Sequence, residues 1–176
     1  MITIRPALAD DAEALPEIER SAGQAFRSIA ELAWLADGGN ISVDRHRELI
    51  EEGTCWVAVD RDRPVGFLSA GIEDNEMHIW ELDVRLDRQG SGIGATLLER
   101  AIGDASRRGL TAVTLTTFRD VAWNAPFYRK FGFRILEDAK IDARLARLLR
   151  AEAEHGMPAD RRCAMRLELK DQPSVK

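Results

Sequence analysis

The spacing of apolar positions changes several times along the chain, and each change marks an element. Residues 2–6 (ITIRP) alternate and predict a first strand. Over DAEALPEIERSAGQAF the spacing becomes helical, with Asp10 as the predicted N-cap and Pro16 predicted to kink the helix. SIAELAWLA and SVDRHRELIEEG predict two more helical pieces within residues 28–53, broken by the turn Asp37-Gly38-Gly39-Asn40. The period then shortens to two. TCWVAVD (54–60), PVGFLSAGI (64–72) and MHIWELDV (77–84) read as strands. Their connections, Arg61-Asp62-Arg63 and Glu73-Asp74-Asn75-Glu76, are short and polar, as an antiparallel meander requires.

Behind the meander the order is strand, helix, strand. Ile93, Leu97, Leu98, Ala101, Ile102 and Ala105 form a helical apolar stripe, with Arg107 and Arg108 in the last turn and Gly109 as the stop. LTAVTLTTF (110–118) is a β-branched strand, and strand–helix–strand at this spacing closes as a right-handed parallel crossover. A short helix over NAPFYRKF, a strand at FRILE, an amphipathic helix over IDARLARLLRAEAEHG and a last strand at CAMRLELK follow. The expected fold class is α/β (mixed, α+β-like). It is one domain over residues 1–170, with a mostly antiparallel central sheet, one parallel βαβ unit and flanking helices. Residues 171–176 are expected to form a flexible tail.

Composition and charge narrow the function. A chain of 176 residues with 45% apolar and 31% charged content suits one domain with a proper core. A net charge of −5 and a pI near 5.3 argue against a nucleic-acid binder. No apolar run approaches the ~20 residues of a membrane span, and MITIRPALADD lacks a signal-peptide pattern, so a cytoplasmic location is expected. Cys55 and Cys163 fit no metal-ligand spacing and read as buried reduced thiols; no metal is expected.

The candidate chemistry centres on RQGSGIGATLLERAI, residues 88–102, where three glycines within five residues run into a helix. A P-loop requires Gly-Lys-Ser/Thr, and Gly94 is followed by Ala95 and Thr96. Gly90-Ser91-Gly92-Ile93-Gly94-Ala95 satisfies a dinucleotide G-x-G-x-x-A. However, five residues separate it from the strand end at Val84, and the next strand ends Thr116-Thr117-Phe118 without the ribose-binding acid. Glycines without Cβ atoms let successive N–H groups converge on a diphosphate, and a helix N-terminus adds free amides and dipole.

Gln89-Gly90-Ser91-Gly92-Ile93-Gly94 matches Q/R-x-x-G-x-G and follows an ELDV strand end, and WNAPFYRKFGF (123–133) follows after a helix and a strand. With these two stretches the chain resembles the GNAT superfamily of N-acetyltransferases over nearly its whole length. The resemblance implies that Gln89, Gly90, Ser91, Gly92, Ile93, Gly94 and Ala95 hold the pyrophosphate of acetyl-CoA as co-substrate. It implies that the main chain of Leu82, Asp83 and Val84 bonds the pantetheine arm, with Asn124 contributing a hydrogen bond. Tyr128, the single tyrosine of the chain, matches the family's general acid. A phenol of pKa ~10 holds a proton at neutral pH and can release it to a departing thiolate.

The base is less sharply marked. Glu81 and His78 both stand on the strand before the loop, and on a regular strand they point to opposite faces; Glu81 is the leading candidate. Thr116 and Thr117 occupy a strand position where some members carry an acid. Phe26, Trp34, residues 21–50 and the turn bearing Glu73, Asp74 and Glu76 are expected to surround the acceptor, and acidic and aromatic groups there suit a cationic amine.

The reading is an N-acetyltransferase that moves the acetyl group directly to a primary amine of a small molecule or protein. The alternative is an acyl-CoA-binding sensor or regulatory module without turnover. The sequence leaves the oligomeric state open, a homodimer through the C-terminal strand being one route.

Overall fold

The computed structural model describes residues 1–169; the predicted tail, 171–176, lies outside the described residues. Strand β1 (Ile2–Pro6) leads into a 3-10 turn (Ala9–Glu13) and helix α1 (Leu15–Gly23). The entry to α1 differs from the predicted Asp10 cap. Asp11 takes the Leu8 N–H at 2.7 Å and is gripped by two nitrogens of Arg5 at 2.7 and 2.9 Å. Pro16 begins α1 rather than kinking it, because a first-turn residue needs no N–H partner. The first predicted helical piece in 28–53 winds as a 3-10 helix, Ala30–Asp37, and the second is α2 (Val43–Glu51), capped by the Ser42 hydroxyl.

Strands β2 (Cys55–Asp60), β3 (Arg63–Glu73) and β4 (Glu76–Val84) follow. Their turns are tighter than the sequence suggested. Arg61-Asp62 and Asp74-Asn75 are two-residue loops in which all four residues take positive φ, from +48° to +66°, matching the twist of the strands they join. Helix α3 (Ile93–Arg107) ends at Gly109 in the left-handed region, as predicted. Then come β5 (Ala112–Phe118), α4 (Ala125–Arg129), β6 (Arg134–Ile135), α5 (Ala143–Glu154) and β7 (Arg162–Glu168).

The strands form one mixed seven-stranded sheet in the order β1-β2-β3-β4-β5-β7-β6. The β1–β2 and β2–β3 pairs are antiparallel, and β4 pairs parallel with β5 from Glu76↔Ala112 to His78↔Thr114, as the crossover requires. β7 pairs with β5 along its whole length and with the two residues of β6. The C-terminal strand, expected as a route to a homodimer, is thus taken up between two strands of its own chain.

Contacts group the chain into two compact units, Met1–Ile72 with Ile79–Asp104, and Glu73–His78 with Ala105 onward, and β4 passes from the second into the first. The first has its core around Leu15, Ile18, Val57 and Phe67, where α1 covers β2 and β3. The second buries Val113, Leu115, Phe133, Leu145, Ala164 and Met165.

Candidate active site

In the first unit, the end of β4 and the glycine loop are held by a series of local bonds. The Arg85 N–H reaches the Val65 carbonyl at 2.9 Å, and the Leu86 N–H reaches the Ser21 hydroxyl at 3.1 Å. The Gln89 side chain donates back to the Val84 carbonyl at 3.0 Å, and the Ser91 hydroxyl donates to the Arg88 carbonyl at 2.6 Å. These side chains therefore shape the loop and leave ligand contact to its main chain.

Gly90 and Gly92 have φ of +73° and +85°, and a Cβ at either would meet nothing within 4 Å. Their L-side-chain directions thus face open space, as a main-chain cradle for a bulky anion needs. The Thr96 N–H bonds the Gly92 carbonyl at 3.1 Å, so the amides of Ile93, Gly94 and Ala95 precede the first bond of the helix. The residues present therefore fit a diphosphate. Gly94 differs from the other two glycines: it lies inside α3 with no positive φ. Ile93 offers only its amide, since its side chain is buried against β3.

A residue the motif reading passed over makes this junction fit. A Cβ on Gly66 of β3 would lie 3.0 Å from the Asp83 carbonyl, 3.2 Å from Val84 and 3.3 Å from Ile93. Only glycine lets β3 come this close to the end of β4 and the start of α3. An isolated glycine within a strand pattern was the available signal.

Along β4, Glu81, Leu82, Asp83 and Val84 are all partly exposed. Glu81 is already engaged within the chain. Asp83 is distinctive: although the residue keeps some exposed surface, desolvation of its carboxyl, and then the negative charge of Glu19, push that carboxyl up to about 7. Glu19, on α1, accepts from fully buried His46 Nε2 at 2.6 Å and from the Ile41 N–H at 3.0 Å. The His46 ring meets the Phe67 ring edge-on at 5.3 Å, one residue beyond Gly66. Neither Glu19 nor His46 was legible as a site residue, because 27 positions separate them and no motif links them.

In the second unit, Tyr128 sits on α4 and is 8% exposed, its ring set edge-on to Phe127 and Phe133 at centroid distances of 5.2 and 5.7 Å. The Asn124 carbonyl accepts from the Phe127 and Tyr128 amides at 2.8 and 3.1 Å. Its side chain makes no capping bond, so the position caps α4 through its backbone alone.

His78 is the weaker of the two sequence candidates for a base. It is buried, with Nδ1 at 2.9 Å from the Thr114 hydroxyl, and burial followed by the nearby Arg144 charge lowers it to about 3. Glu76, expected on an exposed acidic turn near the acceptor, instead bridges Arg144, at 2.9 Å, and Arg166. Pairing from both sides takes that carboxylate out of the solvent-facing set. Thr116, where an acid was missing in sequence, donates its hydroxyl to Glu152 of α5, which also takes Arg162 Nε at 2.9 Å. The carboxylate arrives from another element.

Cys55 and Cys163 are free and buried, and burial raises both thiols. Among the described residues, no three His, Cys, Asp or Glu side chains gather as a metal site. Among the described residues, no helix is long and apolar enough to cross a membrane.

The mixed sheet with one parallel pair, and a glycine cradle between its fourth strand and the following helix, define a class built to hold a diphosphate beside a strand end. The profile of the acetyltransferase (GNAT) family matches residues 19–133, and the chain belongs to that family, the acetyl-CoA-dependent N-acetyltransferases.

Similar solved structures include the PaiA N-acetyltransferase of Thermoplasma acidophilum in complex with coenzyme A. It is 20% identical with a TM-score of 0.70, over 96% of this chain and 99% of that one. The ribosomal-protein-S18-alanine N-acetyltransferase of Escherichia coli is 17% identical with a TM-score of 0.70, over 100% and 99%. N-acetylglutamate synthase of Neisseria gonorrhoeae, complexed with coenzyme A and N-acetylglutamate, is 16% identical with a TM-score of 0.67. In that case the match covers 97% of this chain and 35% of the other.

Proposed function

We propose that this acetyltransferase moves the acetyl group of acetyl-CoA directly to a primary amine of a small molecule or protein. The observation that carries the reading is the cradle formed by Gly90 and Gly92, with open space where side chains would be and free amides at the start of α3. Gln89 and Ser91 stiffen the loop, so its N–H groups are set before the anion arrives and little ordering cost remains.

The thioester supplies an activated acyl carbon; the chain has to orient it and move protons around it. The main chain of Leu82, Asp83 and Val84 is suited to bond the pantetheine arm as an added strand, because Gly66 keeps this end of β4 tight against β3. Tyr128 holds a phenolic proton for the departing thiolate, and Asn124 keeps a side-chain amide uncommitted to its own helix. Glu81 is the carboxylate that the sequence offers for the amine's proton. The related structures named above act on amines as different as a protein alanine and, in one case, carry N-acetylglutamate, so the fold leaves the acceptor's identity to the rest of the site.

Free-thiol release from acetyl-CoA across an amine panel tests the reading. The panel holds a polyamine, an amino acid, free lysine, an aminoglycoside and a short peptide. Amine-dependent release is expected, and Tyr128→Phe is expected to lower it by ~10²–10⁴-fold with acetyl-CoA affinity retained. No release from any amine, with acetyl-CoA still raising the melting temperature, would favour the binding module. A fully active Tyr128→Phe would remove the acid assignment.

A further inference from the structure

The glycine loop is reached through a stretch that burial does not hold. Every residue from Leu86 to Gly92 is exposed, and the next buried side chain is Ile93 at the start of α3. The bonds inside this stretch are local. The Arg88 N–H reaches the Arg85 carbonyl at 2.8 Å in the 3-10 turn Leu86–Arg88, and the Gln89 and Ser91 side chains bond Val84 and Arg88. Such bonds give the loop its shape, but they do not fix where that shape lies against the rest of the first unit.

Side chains from distant parts of the unit fix its place. Ser21, on α1 and 65 positions away, accepts the Leu86 N–H at 3.1 Å. Asp60, the last residue of β2, takes Arg88 Nη1 on Oδ2 at 2.9 Å. Its other oxygen faces the Met1 amino group at 3.4 Å, so the carboxylate is held from that direction as well. Leu86 and Arg88 are the first and last residues of one 3-10 turn, which is thus pinned at both ends. A main-chain tie stands beside these two, from the Arg85 N–H to the Val65 carbonyl at 2.9 Å. The side-chain ties differ in kind. Ser21 holds a backbone N–H directly, whereas Asp60 acts only through the guanidinium of Arg88, which it draws towards β2.

Resting on the acetyl-transfer reading, we propose that Ser21 and Asp60 are positioning residues for acetyl-CoA. They hold the turn Leu86–Arg88, and through it the amides of the glycine loop, in the place where the diphosphate is received. Neither touches the coenzyme. A loop already in place loses little freedom when the anion arrives. A loop free to swing has to be ordered at that moment, and the cost falls on binding. The net worth of one such bond sets the expected loss at roughly 3–10-fold in affinity for each tie. The ties end at the loop and leave the reacting atoms alone, so turnover from the bound state is unaffected.

The test is acetyl-CoA affinity by calorimetry, together with kcat and the acetyl-CoA KM on the best acceptor of the amine panel. The variants are Ser21→Ala, Ser21→Thr, Asp60→Asn, Arg88→Ala and the double variant Asp60→Asn with Arg88→Ala. Arg20→Ala, at an exposed neighbouring position on α1, serves as the control and is expected to match wild type. Ser21→Ala and Asp60→Asn are each expected to weaken binding and raise KM by roughly 3–10-fold with kcat nearly unchanged. Ser21→Thr keeps the accepting oxygen and is expected to restore wild-type affinity. The double variant is expected to bind no more weakly than Arg88→Ala alone, because Asp60 acts through Arg88.

A loss of folded protein would instead lower kcat and leave KM in place, and that result in Ser21→Ala would overturn its positioning role. If Arg88→Ala weakens binding while Asp60→Asn keeps or improves it, Arg88 meets the coenzyme itself and the role of Asp60 is overturned. Wild-type affinity in both Ser21→Ala and Asp60→Asn would overturn the whole proposal while the acetyltransferase reading stands. A wild-type protein that neither binds acetyl-CoA nor turns over any amine would overturn the underlying reading instead.

Discussion

His46 and His78 are both buried, one in each unit, but one faces a carboxylate and the other lies near a guanidinium. Around His78 the second unit balances its charges. Glu76 lies between Arg144 and Arg166, the Thr114 hydroxyl bridges His78 and Arg144, and each carboxylate has a cation. Around His46 the first unit leaves a surplus. His46 Nε2 and the Ile41 N–H hold Glu19, and the negative charge of Glu19 acts on Asp83, for which no counter-charge is at hand among the described residues. Balanced charges in a poorly solvated place fix a structure. Unbalanced ones hold a carboxyl in a protonation state that can change during a reaction.

Three measurements sharpen or break this comparison. The largest effect is expected at Glu76. Glu76→Gln removes the carboxylate shared by two largely buried guanidiniums, leaving Arg166 to Glu168 and Arg144 to Asp142 at 4.0 Å, and is expected to destabilise the fold by about 3 kcal/mol, read by urea denaturation. Glu19→Gln removes a charge that repels Asp83 and keeps an acceptor for His46, so its loss is expected to be much smaller. Equal losses in the two variants would erase the distinction between the units.

Acid titration of stability comes next. His78 is lowered from 6.5 to about 3 in the folded chain, so between those values the unfolded chain binds a proton that the folded chain does not. Stability from this group is therefore fully present above pH 6.5 and is lost as pH falls towards 3. His78→Gln is expected to flatten that part of the profile in a series of melting curves.

The smallest effect concerns Asp83, whose shift has the opposite consequence. Its carboxyl is raised from 3.8 to about 7, so the folded chain holds a proton that the unfolded chain has released between those values. Wild type is expected to lose stability relative to Asp83→Asn as pH rises through that window. The variant should melt higher at pH 8, with the gap closing below pH 4. A gap independent of pH would mean that Asp83 does not titrate as described.

Much of the scaffold was legible in the chain because it rests on local chemistry. Ser42 and Asp142 cap their helices, and Gly109 and Gly156 stop theirs in the left-handed region. The strand periods gave the meander and the parallel crossover. The entry to α1 was not legible, because Asp11 is chosen over Asp10 by an arginine on another strand. The 3-10 winding of Ala30–Asp37 was equally hidden behind an ordinary helical composition.

The candidate site divides along the same line. The sequence by itself determined the glycine loop, since glycine takes a φ of +73° or +85° without strain and leaves no Cβ in the way of an approaching anion, and Gly90 and Gly92 announce that wherever they stand. It also put forward Tyr128, through a motif written in one helix. Only the tertiary structure decided the charges: that Glu76 is spent between two arginines, that His78 is shut away beside Arg144, and that the charge of Glu19, bonded by His46, acts on Asp83. Backbone conformation is a property of neighbouring residues. The proton affinity of a side chain is set by burial and by charges that distant segments bring to it.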